Sequence, residues 1–65
     1  MAVGFYREVT KHIKKAGYAY DGNFKGSHER WKHKKTGHLV EVPFNLKSRH
    51  TANGILSSAG VKKKL

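Results

Sequence analysis

The sequence predicts an α+β fold with the order αβββα, an antiparallel three-stranded sheet carrying both helices on one face. Three observations predict it. An apolar stripe at helical spacing opens the chain. Three short segments of alternating or aromatic character, separated by glycine-bearing turns, fill its middle. A second helical stripe, preceded by a serine, closes it. The 65 residues make one domain, residues 1–65, with one small core. A chain of this size buries only about 60% of its unfolded surface. It contains no cysteine, so neither a disulfide nor a thiolate zinc site supports that core.

Residues 5–16, FYREVTKHIKKA, place Phe5, Val9, Ile13 and Ala16 on one side of a helix. Lys14 and Lys15 suit the negative end of its dipole, and Gly17 stops it. Residues 18–25, YAYDGNFK, alternate aromatic groups at Tyr18 and Tyr20, then break at Gly22, which reads as a first strand with an irregularity. Gly26 turns the chain into a second strand, residues 28–34. Lys35, Thr36 and Gly37 turn it again into a third, residues 38–44, where Pro43 marks an end or an edge. Residues 48–59 form the closing helix: Ser48 caps it, Ala52, Ile55, Leu56 and Ala59 form its stripe, and Gly60 ends it. Lys62, Lys63 and Lys64 read as a frayed tail.

Side-chain alternation orients the second strand. Trp31 is its only large apolar group and must face the helices, taking Glu29 and His33 with it. His28, Arg30, Lys32 and Lys34 then line the open face, a histidine at the head of a cationic row. Trp31 and Tyr18 are assigned to the core, whereas Tyr20 and Phe24 are left open between the core and an exposed role stacking on bases.

Charge narrows the function. Fourteen Lys and Arg against four Asp and Glu give a formal +10, which calls for a polyanionic partner. A membrane binder would add a lipidation site or a strongly amphipathic apolar face, and no apolar run approaches the roughly 20 residues that span a bilayer, so no membrane partner is expected. The opening residues lack the apolar stretch of a signal peptide, and the expected location is the cytoplasm.

The triplet Gly26-Ser27-His28 carries the candidate chemistry. An imidazole exchanges protons near neutral pH. RNA brings its own nucleophile, the 2′-hydroxyl, so its cleavage needs a positioned acid or base and cations around the phosphate, but no covalent residue and no metal. Gly26 would let the backbone approach a phosphate, Ser27 would offer a hydroxyl and an amide, and Lys25, Arg30 and Lys32 would hold the phosphate. The competing readings are an exposed histidine after a turn, the commoner origin of so short a motif, and a solvated face for Lys25, Arg30, Lys32 and Lys34. The other histidines, 12, 33, 38 and 50, match no metal-ligand spacing, and no metal or other cofactor is expected. His33 and His38 flank a hairpin and are the one pair expected to lie opposite each other. Glu8, Asp21, Glu29 and Glu41 form no close pair and read as structural or solvated. Glu29, on the other side of the strand from His28, is a poor orienting partner for it.

The order of these pieces resembles the HicA toxin family, small mRNA interferases of bacterial type II toxin–antitoxin pairs. The resemblance rests on Lys15-Ala16-Gly17-Tyr18 at the end of the first helix, Gly26-Ser27-His28, the basic hairpin through Gly37, Val40-Glu41-Val42-Pro43, and Ile55-Leu56-Ser57-Ser58-Ala59-Gly60. It implies a double-stranded RNA-binding-domain-like αβββα fold. It also implies a metal-independent endoribonuclease whose catalytic histidine is His28, acting on mRNA. The implied partner is a HicB-type antitoxin that covers the active surface, with DNA reached only through that antitoxin. Two features depart from the family pattern. The stretch from Gly17 to Gly26 is longer by a residue, which suggests a bulge at Gly22, and residues 46–50 lack a Pro-Gly step. Two rival functions share the charge: a non-catalytic RNA-binding module, and a ligand for an acidic protein that never meets RNA.

Overall fold

A computed structural model describes residues 4–65. Helix α1 spans Tyr6–Lys15, strands β1, β2 and β3 span Tyr18–Lys25, His28–His33 and Leu39–Pro43, and helix α2 spans Arg49–Ser58. The sheet order is β1-β2-β3 and both pairings are antiparallel, the meander expected from the sequence.

The apolar stripes account for the packing. Val9 and Ile13 of α1, Ala52 and Leu56 of α2, and Val42 of β3 are fully buried. Tyr18, Trp31, Val40 and Leu46 join them in one cluster on one side of the sheet. Thr10 is buried among them because its hydroxyl donates back to the Tyr6 carbonyl at 2.9 Å, which removes the cost of an unpaired group. Tyr20 and Phe24 are exposed, the side of the choice that the sequence left open.

Both helix ends carry recognisable chemistry. Ser48 accepts a hydrogen bond from the Thr51 amide at 3.2 Å, an N-cap that satisfies one orphan donor of α2. At the other end the Val61 amide bonds to the Leu56 carbonyl and the Gly60 amide to the Ser57 carbonyl, a Schellman closure. Gly17 ends α1 with φ of +107°, and a Cβ there would stand 2.7 Å from His33 Nε2. The residue must therefore be glycine for both conformation and space.

Beyond α2 the chain folds back. The Leu65 amide donates to Asn53 Oδ1 at 2.7 Å, and Leu65 and Val61 pack against the core. The frayed tail expected from the lysine run is corrected here: a side chain on α2 holds the residue that follows the lysines.

Strand β1 is irregular twice. Its register against β2 shifts between Tyr20 and Asn23 and again between Asn23 and Lys25, so an extra residue is accommodated each time. The first shift falls at Gly22, where the sequence suggested a bulge. Strand β3 pairs with β2 without interruption.

Candidate active site on the open sheet face

The β1–β2 connection is the two-residue turn Gly26-Ser27, closed by the pairing of Lys25 with His28. Gly26 has φ of +56° while Ser27 has no positive φ, the pattern of a type II′ hairpin turn. Turn geometry alone thus explains the glycine. A phosphate is not needed to account for it.

The turn delivers His28 as the first residue of β2. Alternation then runs as the sequence indicated. Trp31 is buried on the helix side, and Glu29 lies there too, accepting from Tyr6 Oη at 2.8 Å and Trp31 Nε1 at 3.1 Å. Burial, reinforced by that bond to the Glu29 carboxylate, pushes the Tyr6 phenol up to about 12. His28, Arg30 and Lys32 occupy the opposite face, with Lys25 beside His28 across the turn.

The open face also holds a residue that sequence reasoning assigned no such role. His28 Nδ1 contacts Glu41 Oε2 on β3. In the β2–β3 register His28 lies opposite Pro43 and Arg30 opposite Glu41, so the two side chains are diagonal neighbours on one face. About half of each side chain is exposed, at 48% and 51%. A carboxylate on Nδ1 fixes the tautomer and leaves Nε2 as the nitrogen able to take or give a proton. The sequence contained a signal for this. Val40 and Val42 must face the core, which turns Glu41 outward, and a hairpin centred on Lys35 and Thr36 sets residue 41 near residues 28 and 30.

Arg30 is partly committed elsewhere. Its Nε donates to the Asp21 carbonyl and carboxylate, both at 3.1 Å, and a terminal nitrogen reaches the Asp21 carbonyl at 2.7 Å. Its guanidinium also lies over the Phe24 ring, 5.6 Å from the centroid. This clamp holds the bulged part of β1. Lys34 falls beyond β2, and its amide bonds to the Gly17 carbonyl, so it lies at the edge of β1 instead of extending the row.

The remaining acidic side chains, and His12, His33 and His38, have identifiable partners. Glu8 lies 3.9 Å from His12 one turn along α1, so every one of the four carboxylates is engaged. None of the salt bridges among the described residues uses a lysine, which leaves the lysine charge available to an external anion. His33 and His38 do lie opposite each other, joined by the His33 amide and the His38 carbonyl at 2.8 Å, and both rings abut Tyr18 edge-on. His33 Nδ1 accepts from the Lys35 and Thr36 amides, so its Nε2 donates to the Ala16 carbonyl at 3.0 Å. That ring is a structural tie between hairpin and helix. Among the described residues no three of His, Asp or Glu converge as a metal-binding group.

A family model described as "HicA toxin of bacterial toxin-antitoxin" matches residues 6–61. The chain belongs to the HicA toxin family. The match takes in every strand, both helices, the Gly26-Ser27-His28 turn and Glu41. Neither the curated proteins nor the solved structures include a match. Membership makes this HicA-family chain the toxin of a bacterial toxin–antitoxin pair, with an antitoxin as its partner. No helix among the described residues is long and apolar enough to cross a membrane.

Proposed function

We propose that the toxin is a metal-independent endoribonuclease acting on mRNA in the bacterial cytoplasm, with His28 as its general acid/base. The observation that carries this reading is the His28–Glu41 pair, set on an open face whose neighbouring lysines have no ionic partner among the described residues. A histidine that was merely the first residue of a strand would have no need of a carboxylate holding one nitrogen.

In the proposed reaction a ribose 2′-oxygen attacks the adjacent phosphorus. His28 Nε2 takes the hydroxyl proton, and the bond to the 5′-oxygen of the next nucleotide breaks, that oxygen leaving with a proton from water to give a 5′-hydroxyl end and a 2′,3′-cyclic phosphate. Glu41 holds Nδ1–H, keeps Nε2 free in the neutral ring and stabilises the imidazolium that forms. Lys25 and Lys32 neutralise the phosphate, and Arg30 contributes through whatever part of its guanidinium is not spent on Asp21. Gly26 and Ser27 set the approach of the backbone. One imidazole serves one proton transfer at a time, so turnover is modest. A HicB-type antitoxin inhibits the enzyme by covering this face, presenting carboxylates to the lysines, and DNA is approached only through that antitoxin.

The test is cleavage of RNA by the purified chain in excess EDTA, wild type beside His28→Ala. Cleavage by wild type alone supports the assignment. A His28→Ala variant that cuts as fast as wild type sinks it. Tight RNA binding by a folded wild type that cuts nothing would make the protein a binding module instead.

A further inference from the structure

On the other side of the sheet from His28, a cavity of about 580 Å³ opens between α1 and β1, within the usual range for small-molecule sites. Tyr6, Tyr18, Tyr20 and Trp31 supply aromatic walls, and Lys14 and Lys34 also line it. We infer that this cavity seats a guanine base of the RNA strand whose backbone is held on the open face.

Four observations carry the inference, which rests on the ribonuclease reading. The first is Tyr20. It is 55% exposed although it packs edge-on to Trp31 at 5.9 Å, and it is kept upright by a 2.6 Å bond from its hydroxyl to Asn23 Oδ1. An aromatic ring held rigid in water is a stacking platform. The second is Glu29, the one carboxylate in the cavity. Its Oε1 already accepts from Tyr6 and Trp31, which fixes the group, and Oε2 has no hydrogen-bond partner among the described residues. No buried side-chain nitrogen or oxygen lacks a partner among the described residues, so Oε2 is reached from solvent. Guanine alone among the four bases presents two adjacent N–H donors on its pairing edge, both able to converge on the one remaining oxygen, Oε2. Adenine and cytosine set an acceptor nitrogen beside their amino group, which a carboxylate repels, and uracil flanks its single N–H with two carbonyls.

The third observation is charge. Lys14 and Lys34 both line the cavity and supply cations for the phosphates flanking an inserted base, and Lys14 lies 5.7 Å from the Trp31 ring centroid. The fourth is continuity. A second depression, lined by Asp21 and Lys32, shares Ala19, Tyr20 and Lys34 with the first. The two depressions thus adjoin at these residues, which gives a single strand passing Lys32 on the open face a short route to the cavity.

The experiment uses the intrinsic fluorescence of Trp31, the only tryptophan, which lines the cavity. Short oligonucleotides with 2′-O-methyl riboses cannot be cut, because their nucleophile is blocked. Titration with an oligomer containing one guanine should quench Trp31 saturably. Oligomers of adenine, cytosine or uracil alone should bind about tenfold or more weakly, having lost a hydrogen bond to a charged group. Tyr20→Ala, at an exposed position, should weaken the guanine oligomer by roughly 5- to 100-fold. His28→Ala should leave the quench unchanged while losing cleavage of unmodified RNA. Equal affinity for all four oligomers, or a Tyr20→Ala variant that binds as wild type does, overturns the base site and leaves the ribonuclease reading standing. Free guanosine monophosphate binding as tightly as the oligomer would overturn the continuous RNA path.

Discussion

Replacing Glu41 by glutamine is the sharpest test of the open-face site, because it changes a charge and almost nothing in shape. The structure sets both halves of the expected result. His28 and Glu41 are about half exposed, and ion pairs of that kind contribute about 1 kcal/mol or less to stability. The midpoint of urea unfolding should therefore barely move. Catalysis should change more. Glutamine can accept from Nδ1–H through its oxygen, but it can also donate to Nδ1 through its nitrogen, which puts the proton on Nε2 and removes the base. It also withdraws the negative charge that stabilises the imidazolium. A positioned acid/base is worth about 10²–10⁴-fold, and its orienting partner roughly 10- to 100-fold. The assay is the initial rate of cleavage of a fluorescent oligoribonucleotide under single-turnover conditions, for wild type, Glu41→Gln, His28→Ala and the double variant. If Glu41 acts through His28, the second substitution should cost nothing further once His28 is gone. A Glu41→Gln loss that persists undiminished in the His28→Ala background would refute the reasoning, because Glu41 would then act on substrate or fold directly.

The other predictions concern the frame and the electrostatics. Gly54→Ala, in the middle of α2 with open space where the Cβ would sit, should stabilise the protein by about 1 kcal/mol in urea titration. Gly17→Ala should destabilise it by about 2 kcal/mol or more, from the left-handed backbone and the approach to His33, with thermal unfolding as the readout. Tyr6 is held neutral by the fold. The stability it contributes is complete below its unfolded value of 10.0 and is lost as pH rises through about 12, so wild type should weaken across that window. Tyr6→Phe should remove this alkaline component of the weakening, read by urea titration on either side of the window. RNA affinity should fall with salt on a log–log plot by about 0.7 per phosphate contacted, and Lys32→Ala should lower that slope without altering base preference.

Much of the architecture was legible because each element has a local cause. Val9 and Ile13 recur at helical spacing, Ser48 and Gly60 bracket α2, and Trp31 can face only one way in β2. The opposition of His33 and His38 followed from the short turn between them. What escaped the sequence depends on register and on side chains that meet across elements. Glu41 reaches His28 along a diagonal whose existence requires the β2–β3 pairing to be known residue by residue. Arg30 reads as a free cation until the bulge in β1 swings the Asp21 carbonyl into its reach. Lysines at the end of a chain suggest fraying, and nothing local shows that Asn53, twelve positions away from Leu65, holds that residue. The turn shows the converse. Gly26 looked like a concession to substrate, yet its backbone conformation is demanded by a two-residue hairpin whatever binds there.

An open sheet of three strands has two outer edges, and each can recruit a strand from a neighbouring molecule. In this toxin both edges are blunted, by different means. The outer side of β1 is broken by two bulges, so its amides and carbonyls do not form the even row that a stranger could match. The outer side of β3 is regular but only five residues long and ends at Pro43, which has no amide to offer. With mutual repulsion from the uncompensated lysines added, a toxin released from its antitoxin is expected to remain dispersed and not to polymerise. Light scattering of the free chain at high concentration should stay flat. Blunted edges of this kind leave strand addition no ready template.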